Sequence, residues 1–107
     1  MSEFENLYAI IMRRKAQPQE GSYTCYLFRQ GLDKILKKLG EECAETIIAA
    51  KNNNRDELIG ELGDLAFHAA MLMAEQGITP EDIAGELRKR AQKTGNLKQS
   101  HKVDKNS

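Results

Sequence analysis

LDKILKKLGEECAETIIAAKNNNRDELIGELGDLAFHAAMLM, residues 32–73, decides the fold. Leu32, Ile35, Leu36, Leu39, Cys43, Ile47 and Ala50 keep helical spacing for five turns, until three asparagines at 52–54 stop the pattern. Asn54 followed by Glu57 has the spacing of an N-cap signal, and a second stripe then runs through Leu58, Leu62, Leu65, Ala66, Ala69 and Met73. Gly77 stands where a helix commonly ends on a left-handed residue. Two long amphipathic helices with so short a connection are expected to pack antiparallel.

Outward from this pair the signals stay helical. Ser2 with Glu5 has capping-box spacing, and Phe4, Leu7, Tyr8 and Ile11 predict a first helix to about Arg14, broken by AQPQEGS. SYTCYLFRQ at 22–30 fits strand or helix by propensity, and Gly31 punctuates it. Thr79-Pro80-Glu81-Asp82 opens a last helix, with Thr as cap, Pro at the first position and acids at the positive helix end; Gly95 is its expected stop. NLKQSHKVDKNS at 96–107 has almost nothing to bury and reads as a flexible polar tail behind a domain spanning 1–95. No segment sustains period-2 alternation. The expected fold is therefore all-α, a bundle of about four to five helices, and a chain of 107 residues has so small a core that a homodimer is expected to complete it.

The chain carries 16 basic and 16 acidic residues, and this balance argues against nucleic acid as a partner. MSEFENLYAIIMRRK shows no basic leader followed by an apolar run, and no stretch approaches bilayer length, so a cytoplasmic protein without a membrane partner is expected. Cys25 and Cys43 lack metal or redox spacing and read as reduced thiols.

Neutral overall, the chain is uneven along its length: +3 over residues 1–40, −5 over 41–64 and +2 over 65–107. At roughly 100° per residue, Glu42 and Glu45 fall on one flank of the first stripe together with Lys34 and Lys38. Glu57, Glu61, Asp64 and His68 share one flank of the second, opposite Gly60 and Gly63. Glu42/Glu45 and Glu61/Asp64 each have the i, i+3 spacing that makes side chains neighbours. A single helical acid is most often solvated, but two like-charged pairs beside apolar stripes repel each other, and a cation is expected among them. Carboxylate oxygens suit Mg²⁺ or Mn²⁺ better than Zn²⁺. A di-iron bundle is the competing metal reading, but it calls for paired Glu-x-x-His motifs, and His68 lies four residues after Asp64. Mg²⁺ is commonly bound together with substrate phosphates, which points to a phosphorylated substrate. Lys34, Lys38 and Lys51 are then candidate phosphate contacts, each readable equally as an ordinary solvated lysine. His68 reads either as a core-edge histidine or as a substrate contact, and its place on the acidic flank favours the latter.

EECAE at 41–45, followed after 15 residues by ELGD at 61–64, resembles the EExxE…ExxD signature of the MazG-type all-α nucleotide pyrophosphohydrolases. SYT at 22–24, GLDKILKKLGEE at 31–42, AAK at 49–51, DLAFH at 64–68 and ELRKR at 86–90 narrow the resemblance to the phosphoribosyl-ATP pyrophosphohydrolase family, over about residues 4–92 in one register. The resemblance implies a MazG-like helical homodimer that uses Mg²⁺ to hydrolyse phosphoribosyl-ATP to phosphoribosyl-AMP and pyrophosphate, the second step of histidine biosynthesis. Carried over by position, it implies Glu42, Glu45, Glu61 and Asp64 as metal ligands and Glu41 as the group that orders or deprotonates the attacking water. Ser22, Tyr23, Thr24 and Arg90 join Lys34, Lys38, Lys51 and His68 as implied substrate contacts. Gly60 and Gly63 depart from the family, which usually has Ala or larger residues there, and suggest a close helix approach. Two other functions remain in view: a house-cleaning nucleoside triphosphate pyrophosphatase, distinguished by its substrate, and a non-catalytic dimerisation module, distinguished by its lack of metal.

Overall fold

The structure is a computed structural model and describes residues 2–93. Within them are five helices and no strand: α1 (Glu3–Ala16), α2 (Tyr23–Gln30), α3 (Leu32–Lys51), α4 (Arg55–Gln76) and α5 (Pro80–Ala91). The protein is all-α, and the ambiguous segment at 22–30 is helical. The 96–107 stretch and Gly95 lie outside the described residues.

The caps follow the sequence signals. Ser2 Oγ accepts from the Glu5 backbone N–H at 3.1 Å while Glu5 accepts from Ser2 N–H at 2.9 Å, closing a capping box. α1 continues two residues past Arg14 and stops at Gln17, whose backbone has left the helical region as a residue before proline must, Pro18 following. Gly31 ends α2 and starts α3 at φ 90°, a conformation that glycine adopts without strain. Asn54 caps α4 through the Glu57 N–H at 3.1 Å, and Gly77 closes it in the left-handed region.

Contacts divide the chain into two compact units, Met1–Gly77 and the part from Ile78 onward. In the first, α3 and α4 form the most extensive pairing, joined by 52–54 as a helical hairpin; α1 packs on α4, and α2 packs on α1 and α3. Ile11, Leu27, Ile35, Ala70, Met71 and Ala74 form the fully buried core, with Phe4, Leu7, Tyr8, Tyr26, Phe28, Phe67 and Leu72 packed around it. α4 has no basic residue in its last turn, and Lys15 of α1 supplies one, its Nζ donating to the Ala74 carbonyl at 2.8 Å. In the second unit, Thr79 and Asp82 close a capping box on α5, which ends at Ala91 with Gln92 as its cap, short of the expected Gly95.

The two apolar stripes read from the sequence are only partly buried. In α3 the buried line is Ile35, Glu42 and Ala49, while Leu32, Leu36, Cys43, Ile47 and Ala50 are exposed in the single chain. In α4 the buried residues are His68, Ala70, Met71, Met73 and Ala74, whereas Leu62 is exposed. Both helices carry apolar residues on more than one side, and a projection of each helix alone does not select which side turns inward. Gly60 and Gly63 are exposed, and a Cβ on either meets nothing within 4 Å. Within one chain they serve no close helix approach, contrary to expectation.

Candidate active site

The burial pattern of α3 brings a charged residue inside. Glu42 lies midway between Ile35 and Ala49, seven residues from each, so the face that buries these two also buries Glu42, which is 7 % exposed. Glu45, one turn on, stands at the rim, and Glu61 of α4 meets both. One carboxylate oxygen from each of Glu42, Glu45 and Glu61 lies within 4.8 Å of the others. The Oε2 atoms of Glu42 and Glu61 are both buried and have no hydrogen-bond partner.

The electrostatics record the crowding. Burial, then the charges of Glu45 and Asp64, push the Glu42 carboxyl above its ordinary range. The Glu61 carboxyl is pushed up to about 7, first by hydrogen bonding to the Glu45 carboxyl, then by burial and by the charges of Glu45, Glu42 and Asp64. Paired acids in this state hold protons unless a cation replaces them. Three converging carboxylates, two with orphaned oxygens and no thiolate in the group, form an all-oxygen donor set suited to a hard divalent ion. Asp64 is exposed and outside the three-residue group, yet close enough to act electrostatically on Glu42 and Glu61.

Glu41 points to a different partner. Lys38 Nζ lies 3.1 Å from its Oε2, and this ion pair holds the Glu41 carboxyl below the ordinary range and raises the Lys38 ammonium. Lys37 and Lys34 add smaller effects of the same sign on Glu41, so the lysine flank gathers around that residue. Lys34 Nζ also sits 5.9 Å from the centroid of the Tyr26 ring. Lys51 is exposed at the last position of α3.

Beside the acids lies a cleft of about 200 Å³ lined by Glu45, Ile48, Ala49, Asn52, Glu57 and Glu61. The sequence reading did not single out Asn52 or Glu57 as site residues. Their signal was present in the helix ends, because a hairpin connection places Asn52, the C-cap of α3, and the first turn of α4 at the same end of the acid cluster.

The remaining candidates have defined places. Ser22 Oγ caps α2 by accepting from the Cys25 N–H at 3.2 Å, and Thr24 is half-buried in its first turn. Tyr23 and His68 form a pair the sequence did not reveal: the Tyr23 hydroxyl is 3.1 Å from His68 Nε2, and His68 Nδ1 is 2.8 Å from the Asp64 carbonyl. Arg90, in the second unit, donates from Nε to Glu86 at 3.1 Å. Cys25 and Cys43 are both free thiols, one buried and one exposed.

The family model described as phosphoribosyl-ATP pyrophosphohydrolase matches residues 4–91, which include every carboxylate of the cluster. A phosphoribosyl-ATP pyrophosphatase of Clostridium novyi is 53 % identical over 94 residues, covering 88 % of this chain and 86 % of the relative. Its counterpart in Limosilactobacillus fermentum is 56 % identical over 90 residues, 84 % of this chain and 85 % of that one. That of Listeria innocua is 60 % identical over 85 residues, with 79 % and 82 % covered. The chain belongs to the phosphoribosyl-ATP pyrophosphohydrolase family.

Proposed function

We propose that this chain hydrolyses phosphoribosyl-ATP to phosphoribosyl-AMP and pyrophosphate with Mg²⁺, as the second step of histidine biosynthesis in the cytoplasm; Mn²⁺ is the alternative ion. The observation that carries the proposal is the convergence of Glu42, Glu45 and Glu61 with two buried oxygens left without partners. Glu42, Glu45 and Glu61 hold the cation, with Asp64 as the fourth ligand. Bound there, the ion neutralises charge on the phosphates and makes water a stronger nucleophile.

The chain's own groups supply the rest. Glu41, kept ionised by Lys38, orders the attacking water or takes its proton. Lys34, Lys38 and Lys51 oppose phosphate charge, and SYT at 22–24 makes the further substrate contacts that the family resemblance implies. No helix among the described residues is long and apolar enough to cross a membrane.

A homodimer is part of the proposal. Ile47 (64 % exposed), Ile48 (57 %) and Ile59 (53 %) leave α3 and α4 with more apolar surface than a single small chain usually presents to water. A second copy is the occupant we assign to it. The function is tested by pyrophosphate release from phosphoribosyl-ATP, measured beside ATP and dCTP. Preference for phosphoribosyl-ATP is expected, and preference for dCTP would mark a house-cleaning pyrophosphatase instead.

A further inference from the structure

His68 is buried beside the carboxylates, where it acts electrostatically on Glu42, and its hydrogen bonds bear on where its proton sits. A backbone carbonyl only accepts, so the 2.8 Å contact from Nδ1 to the Asp64 oxygen requires Nδ1 to carry hydrogen. Where the ring is neutral, Nε2 is then a bare acceptor and the Tyr23 hydroxyl at 3.1 Å is its donor. The phenol has one proton, which is thereby committed to α4. What remains on the Tyr23 oxygen is lone pairs.

This restricts what Tyr23 can bind. Phosphate oxygens only accept and cannot pair with an oxygen whose hydrogen is already engaged. Tyr23 as a residue is 45 % exposed. Its ring is fixed edge-on against His68, with centroids 5.9 Å apart, and stacks with Phe67 and Tyr26 at 5.9 and 6.0 Å. The donors of a nucleotide nearest its phosphates are the sugar hydroxyls, and the phosphates are the part that the carboxylate-bound cation and the lysines would hold.

We propose that His68 is a positioning residue which, held as the Nδ1–H tautomer by the Asp64 carbonyl, makes the Tyr23 hydroxyl an acceptor for a sugar hydroxyl of the bound substrate. The inference rests on the phosphoribosyl-ATP reading and assigns Tyr23 the contact with substrate and His68 none.

The test has two parts. Nitrogen-resolved NMR of the histidine side chains in the full chain, with His68 assigned by His68→Gln, should show hydrogen on Nδ1 and none on Nε2; a protonated Nε2 overturns the proposal. Steady-state kinetics on phosphoribosyl-ATP then form a double-mutant cycle. Tyr23→Phe should raise KM by roughly 3- to 10-fold, the size of one neutral hydrogen bond, with kcat little moved. His68→Leu should give the same change, and the double variant no more than either alone. His68→Gln, whose amide oxygen can accept from Tyr23, should recover most of the loss. Losses that multiply in the double variant overturn the proposal, because a purely structural histidine would act independently of the phenol. If His68→Leu does not fold, His68→Phe, which also cannot accept from the phenol, takes its place in the same cycle. A parent without turnover removes the substrate reading itself, a result distinct from an active parent whose losses multiply.

Discussion

Glu42 on α3 and Glu61 on α4 face each other with one buried, unpartnered oxygen apiece, and their ligand atoms lie within 4.8 Å. Without a cation, this arrangement is stable only while protons separate the charges. Its cost must therefore depend on pH and on metal.

The sign follows from the raised carboxyls. The Glu61 carboxyl is pushed up to about 7 from an ordinary 4.5, and Glu42 is raised in the same direction. The folded state thus binds more protons than the unfolded state between these values, so stability is fully present below about pH 4.5 and is lost as pH rises through about 7. The metal-free chain should melt at a lower temperature at ~pH 8 than at ~pH 5, and Mg²⁺ should remove the difference by replacing the protons. Thermal melts across pH, with Mg²⁺ and with chelator, check this. A melting point indifferent to Mg²⁺ at ~pH 8 would count against a cation among these carboxylates.

Glu45→Gln and Asp64→Asn should each lower turnover by roughly 100-fold or more while leaving the helical circular dichroism intact, because each removes a proposed ligand. Without Mg²⁺ their melting points should hold or rise slightly, since carboxylate repulsion is relieved. Near-full activity in both variants would remove the ligand assignment.

Lys38 pairs with Glu41 at 3.1 Å, so its role beyond that ion pair needs a separate readout. Lys38→Met should raise KM or lower kcat by roughly 10- to 100-fold, the range for hydrogen bonds to charged groups, with Mg²⁺ affinity unchanged or tighter. Kinetics equal to the parent across a Mg²⁺ titration would leave Lys38 as the counter-ion of Glu41 alone.

The exposed isoleucines of α3 and α4 give a direct test of assembly. Sedimentation at micromolar concentration should show at least a dimer, and Ile47→Asp, placed where 64 % of the side chain is exposed in one chain, should shift it toward monomer. A parent that sediments as an active monomer would contradict the dimer.

The helix ends were legible because caps are local chemistry: Ser2, Asn54 and Thr79 each accept from the backbone three residues on, at the predicted spacing. Three of the four paired acids, Glu42, Glu45 and Glu61, converge as their facing across a short hairpin suggested, while Asp64 stays outside that group. The inward face of α3 was not legible. Ile47, Ile48, Ala49 and Ala50 are contiguous and apolar, and Ala49 is buried because α4 and α2 pack on the side that also holds Ile35 and Glu42. The Tyr23–His68 bond was hidden for a related reason. It joins residues 45 apart and exists only because 22–30 is helical, a choice propensity left open.

The central claim is a cation-dependent pyrophosphohydrolase acting on phosphoribosyl-ATP through these carboxylates, and product analysis tests it most directly. With Mg²⁺ present, the parent should release pyrophosphate and phosphoribosyl-AMP in equal amounts, far faster than it cleaves ATP or dCTP, and chelation should stop the reaction. Glu42→Gln should lose the same activity while remaining folded. Turnover that persists in chelator, or that survives in Glu42→Gln at the parent rate, would contradict the account.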